Sequence, residues 1–184
     1  MQSPLAYRAD TAYSGLVARP ERKGGGSAGT RATTALQAEG VSFVAHSYEH
    51  DPAAPSYGLE AAQALGIPPE RVFKTLVVDT GAGLAVGIVP VDRQLDLKAI
   101  AHALGVKRAD LAVAAAAQRA TGYVLGGISP FGQTKALPTV LDDGALNHDT
   151  ILVSGGRRGF DVEVAPADLV RICRATVAPI SRTR

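Results

Sequence analysis

Apolar residues recur with two different periods along the chain, and the switching between them outlines interspersed helices and strands. From Thr33 the spacing of Ala35, Leu36 and Ala38 is helical and stops at Gly40, whereas residues 41–48 alternate apolar and polar side chains as a half-buried strand does. Residues 56–65 return to the helical period and end at Gly66, with Pro68-Pro69 behind it. Residues 71–79, Arg-Val-Phe-Lys-Thr-Leu-Val-Val-Asp, are rich in β-branched and aromatic side chains and predict a strand, with residues 84–90 as its hairpin partner. Helices are expected over 96–104 and 109–118, a strand-like run at Val124-Leu125, strands over 139–141, 150–154 and 160–164, and a closing helix over 166–174 opened by Pro166. No regular βαβ repetition joins these elements. The pattern favours an α+β domain around a mixed, barrel-like β-sheet surrounded by helices over a doubly wound fold.

Composition narrows this further. The chain has 184 residues, 46% of them hydrophobic and 20% charged, which suits one soluble domain with a sizeable core. Residues 1–30 end in Arg-Lys-Gly-Gly-Gly-Ser-Ala-Gly and have linker composition, so a flexible N-terminal extension is expected there and the folded domain over 31–184. Residues 1–32 hold five basic residues against Asp10 and Glu21, and the remainder is close to neutral. A folded part with so little net charge is not a generic binder of DNA or of other polyanions. No run is long and apolar enough for a membrane span, and the N-terminus shows no charged-then-apolar leader pattern, so a cytoplasmic protein is expected. Cys173 is the sole cysteine, which leaves no internal disulfide.

Three features carry candidate chemistry. The stretch from Thr121 to Gln133, Thr-Gly-Tyr-Val-Leu-Gly-Gly-Ile-Ser-Pro-Phe-Gly-Gln, concentrates glycines that let main-chain N–H groups approach a ligand, with Pro130 fixing the exit of the loop. Lys74 interrupts an otherwise apolar strand; it either points outward from a half-exposed strand or reaches into a pocket to hold a phosphate or polarise a carbonyl. His46 and His50 have a spacing compatible with two metal ligands but lack a clustered third, so no metal is expected. No Gly-x-Ser-x-Gly elbow follows a predicted strand, His-Glu-x-x-His, Cys-x-x-Cys and Gly-x-x-x-x-Gly-Lys motifs do not occur, and Cys173 beside Val170 and Ile172 reads as a small core residue.

Four ordered segments, His46-Ser-Tyr-Glu-His-Asp51, Val72-Phe-Lys-Thr-Leu-Val77, Thr121-Gly-Tyr-Val-Leu-Gly-Gly-Ile-Ser-Pro130 and Val153-Ser-Gly-Gly-Arg-Arg-Gly-Phe-Asp161, together resemble the bacterial YbaK/EbsC proteins, in particular the Cys-tRNA(Pro) deacylase branch. The likeness runs over residues 33–180. It implies a free-standing editing domain, similar to the insertion domain of prolyl-tRNA synthetases, that needs no cofactor and removes the wrong amino acid from tRNA(Pro). Cysteine and proline differ too little in size for one pocket to separate them, since a methylene is worth only about 1–3 kcal/mol, so a second site does the sorting.

The resemblance also implies roles. Lys74, Gly126 and Gly127 are the expected catalytic positions, the lysine placing the terminal adenosine or its phosphate and the glycine loop offering N–H groups to the oxyanion. Tyr48, Phe73, Ile128, Ser129, Pro130, Ser154 and Asp161 are the expected substrate-binding positions, with Asp161 toward the amino group. The substrate's own thiol would attack its ester, so the protein supplies position rather than a nucleophile. Expected partners are the 3′ end of aminoacyl-tRNA and, transiently, prolyl-tRNA synthetase. Water-mediated editing of Ala-tRNA(Pro) uses the same residues, and a non-catalytic binding module would keep the fold alone.

Overall fold

The computed structural model describes residues 29–183, and most of the extension expected over residues 1–30 lies outside the described residues. Thr30 belongs to the domain itself: its N–H donates to Thr33 Oγ1 at 2.9 Å while its own Oγ1 accepts from the Thr33 N–H at 3.2 Å. This reciprocal cap opens α1 (Arg31–Ala38). There follow β1 (Val44–Ser47), α2 (Tyr57–Leu65), β2 (Val72–Asp79), β3 (Leu84–Pro90), β4 (Gln94–Leu95), α3 (Leu97–Ala103), β5 (Asp110–Leu111) and α4 (Ala114–Thr121). The chain continues through β6 (Thr139–Asp142), β7 (Ile151–Arg157), β8 (Phe160–Val164), α5 (Pro166–Cys173), β9 (Thr176–Ala178) and β10 (Ser181–Arg182).

Seven strands hydrogen-bond in the order β1-β8-β7-β2-β3-β6-β9, and β5 attaches to β2 beside that path. The sheet is mixed: β2 runs parallel to β7, β3 to β6 and β6 to β9, while the other ladders are antiparallel. The α+β class expected from the pattern is thus the class observed. Ile88, Leu141, Ile151 and Leu169 are fully buried between the sheet, α1 and α5, and burying each such side chain contributes about 1.5–3 kcal/mol. On the opposite face Ile100 of α3 packs on Val78, Val89 and Val140. The buried Asp142 binds the chain end to the sheet, its Oδ2 accepting from the Ile180 N–H at 3.0 Å.

Some elements differ from those the periodicity predicts. The strand expected over 41–48 begins only at Val44, and Val44 is exposed because β1 is an edge strand paired to β8 alone. The helix expected over 109–118 starts at Ala114; Asp110 and Leu111 instead pair with Asp79 and Val78 at the end of β2, a tertiary contact that overrides local helix preference. Val124 and Leu125 are not a strand but follow the left-handed Gly122 (φ 72°) that closes α4, and both are exposed. The short strands β4, β5, β9 and β10 are too brief to have a period.

Candidate active site

β2 is paired along its whole length to β3 on one side, from Phe73 opposite Pro90 to Asp79 opposite Leu84. On its other side it is shared. β7 pairs only with Val72 and Phe73, and β5 only with Val78 and Asp79, so the edge between them has no strand opposite it. A cavity of about 380 Å³ occupies this gap. Side chains alternate across a strand, yet Val72, Lys74 and Leu76 border the cavity together with Phe73, Thr75 and Val77, so it lies against the edge of β2 rather than one face. The Val77 carbonyl accepts from the Ala112 N–H on this side. By backbone alternation, the N–H and C=O of Thr75 address the same gap.

The far wall comes from β7 and β8. Ser154 and Asp161 stand opposite one another across the β7–β8 ladder, and Asp161 also faces His46 of β1. Asp161 is buried, which pushes its carboxyl up to about 6, against a downward pull from His46. Tyr48 lines the same wall; burial first, then the Asp161 and Glu60 carboxylates, raise its phenol above the ordinary value, so it stays neutral and able to donate. Its N–H is held by the Gly159 carbonyl at 3.0 Å.

The loop after α4 forms the rim. Gly126 has φ 81°, and a Cβ there would stand 2.8 Å from the Tyr57 ring, so only glycine fits against α2. The Gly127 N–H donates to the Val124 carbonyl at 3.0 Å and closes a turn, so this amide is committed to the loop rather than to a ligand. The Tyr123 hydroxyl donates to the Phe131 carbonyl at 2.7 Å and pins the far end of the loop. Lys74 lends its stem to the cavity while its ammonium donates to the Arg93 and Val91 carbonyls beyond β3.

The structure therefore brings Tyr48, Phe73, Lys74, Gly126, Ile128, Ser154 and Asp161 to one cavity. It does not bring Gly127, Ser129 or Pro130 there. Ser129 is fully buried, its hydroxyl accepting from the Phe131 N–H, and Pro130 lines a second cavity behind the loop. His46 and His50 separate to different carboxylates, Glu163 at 2.9 Å and Glu60 at 3.0 Å. Cys173 donates to the Pro130 carbonyl, and burial pushes its thiol up to about 12. Sequence reasoning missed Thr75, Tyr57, Leu111 and Leu125 as lining residues. A threonine inside a strand otherwise apolar except for Lys74 was the available signal for the first.

Among the described residues, the cavity holds a buried carboxyl, several hydroxyls and unpaired main chain, with no imidazole or thiol lining it. Such a site can hold a small cationic group and orient an acyl carbonyl, but supplies no activated nucleophile.

Residues 51–172 match the model of the aminoacyl-tRNA editing domain, and the chain belongs to that family. It is 38% identical, over 65% of its length and 74% of the relative's, to a protein of Enterococcus faecalis assigned as the Cys-tRNA(Pro)/Cys-tRNA(Cys) deacylase EbsC. A solved structure described as a trans-editing enzyme for prolyl-tRNA synthetase superposes with TM-score 0.71 at 26% identity, covering 83% of this chain and 95% of that one. A crystal structure of a hypothetical protein does so with TM-score 0.74 at 26% identity, covering 83% and 100%.

Proposed function

We propose that this protein is a trans-editing deacylase that removes cysteine from mischarged Cys-tRNA(Pro). One observation carries the reading: among the described residues the cavity offers a buried carboxyl and a shaped wall but no thiol and no imidazole to activate a hydroxyl. Asp161 receives the α-ammonium, Tyr48 and Ser154 border the aminoacyl ester, and the Gly126 loop faces its carbonyl oxygen. The stem of Lys74 borders the ester, and its ammonium lies on the side where the adenosine and its phosphate enter. The sulfur of the cysteinyl group then attacks its own carbonyl carbon. A C–S bond forms, the ester C–O bond breaks, the ribose oxygen takes up a proton in place of the one the thiol released, and a cyclic thiolactone departs. Orientation of thiol and carbonyl within one small cavity supplies the rate.

The near-neutral balance beyond residue 32 supports weak intrinsic affinity for tRNA, because phosphate neutralisation by lysine and arginine provides most sequence-independent binding. Prolyl-tRNA synthetase is the partner we expect to present the substrate, in the cytoplasm where charging takes place. The test compares wild type with Lys74→Ala on Cys-tRNA(Pro) and Ala-tRNA(Pro), with and without the synthetase. Cysteine discharge is expected to fall about a hundredfold in Lys74→Ala, the order of loss when a positioning group lets the reacting atoms shift. Discharge of alanine alone would replace the reading with water-mediated editing, and discharge of neither would leave a binding module.

A further inference from the structure

Thr75 Oγ1 is the one buried side-chain oxygen or nitrogen among the described residues that has no hydrogen-bond partner. The residue is 8% exposed and borders the cavity at the unpaired stretch of β2. A buried hydroxyl without a partner is costly, and a valine of nearly the same shape would avoid that cost. The hydroxyl is therefore kept at the expense of stability, at a position where a ligand could complete it.

Its surroundings specify which ligand group. Thr75 shares a strand face with Phe73 and Val77, and Val77 packs with Ala117 and Ile128. This wall is apolar except for the hydroxyl, whereas Asp161 provides the charge for an ammonium. A small, weakly polar tip suits such a wall better than a charged one.

Resting on the function proposed above, we propose that Thr75 is the residue that positions and selects the substrate thiol. Its hydroxyl accepts a hydrogen bond from the cysteinyl S–H and holds the sulfur toward the ester carbonyl, with no proton transferred to the threonine. An alanyl ester leaves the hydroxyl orphaned, and a site built to hydrogen-bond a substrate group discriminates strongly against the analogue that lacks it. Thr75 thus acts as a positioning residue whose contribution is to specificity.

The full chain carrying Thr75→Val or Thr75→Ser is compared with wild type. Thr75→Val is expected to lower kcat for Cys-tRNA(Pro) about tenfold, to leave alanine discharge unchanged, and to keep or raise Tm. Thr75→Ser restores cysteine discharge to near the wild-type rate. Separately from turnover, the stable 3′-amide analogue of cysteinyl-adenosine raises the Tm of wild type more than the alanyl analogue does, and the two become equal in Thr75→Val. A wild type that discharges cysteine alongside an equally active Thr75→Val overturns this inference alone, as does a Tm that falls in step with activity. A wild type showing neither discharge nor a preference for the cysteinyl analogue overturns it together with the functional reading.

Discussion

Two cavities of similar size flank the loop that follows α4, and only one of them looks built for a ligand. The cavity behind the loop, about 440 Å³, is lined by Pro130, Phe131, Lys135 and Cys173, whereas the one at the β2 edge is about 380 Å³. Behind the loop the thiol of Cys173 already donates to the Pro130 carbonyl and burial holds it protonated. At the β2 edge a carboxyl is kept buried and a hydroxyl is left without a partner. Chemical need separates the two where size does not, because unsatisfied buried groups cost stability and persist only where something repays them.

The contrast can be pressed from its strongest consequence downward. Replacing Asp161 with asparagine is expected to lower cysteine discharge by more than tenfold while stabilising the free protein at pH 7. The sign follows from the raised carboxyl: a folded value of about 6 sits above the unfolded value near 3.9, so the stabilising contribution is complete below about pH 4 and is lost as pH rises toward 6. The gain at pH 7 is on the order of 2 kcal/mol and disappears in melts at pH 4. In wild type, discharge should decline as pH falls through about 6, when the carboxyl loses its charge; a profile flat from pH 5 to 8 would remove Asp161 as the ammonium site.

A smaller effect is expected from Gly126→Ala, which forces an L-residue to φ 81° and a methyl onto the Tyr57 ring. Left-handed backbone costs about 1–2 kcal/mol, so Tm falls by several degrees and discharge falls severalfold as the rim shifts. Least of all is expected from Cys173→Ala. Discharge should stay within about twofold of wild type and stability should fall by about 1 kcal/mol, the size of one modest packing loss. A large loss of activity in this last variant would make the rear cavity part of the site.

What the sequence made legible follows period and chemistry. The 3.6-residue spacing of α1, α2 and α5 and the β-branched run of β2 could be read directly, and Lys74, Ser154 and Asp161 could be assigned to one pocket through their resemblance to known proteins. The split edge of β2 could not be read. It depends on β7 arriving from some eighty residues away and on β5, whose two residues carry no periodicity. The loop's course was hidden too: Gly126 and Ile128 line the cavity, whereas Ser129 is buried and Pro130 lines the cavity behind the loop. Thr75 was passed over because a threonine fits any strand, and its place in an apolar run gains meaning only beside the missing partner.

The ladder between β2 and β7 joins Phe73 to Val153, and Asp161 lies further along still. Contacts this distant in sequence form late, because the intervening chain must be closed into a loop before they can reward it. During synthesis, an emerging chain that has completed β2, β3, α4 and the loop after it already possesses Lys74 and the Gly126 rim but neither Ser154 nor Asp161. With the role proposed for Asp161, competence to edit is acquired only once nearly the whole domain has left the ribosome.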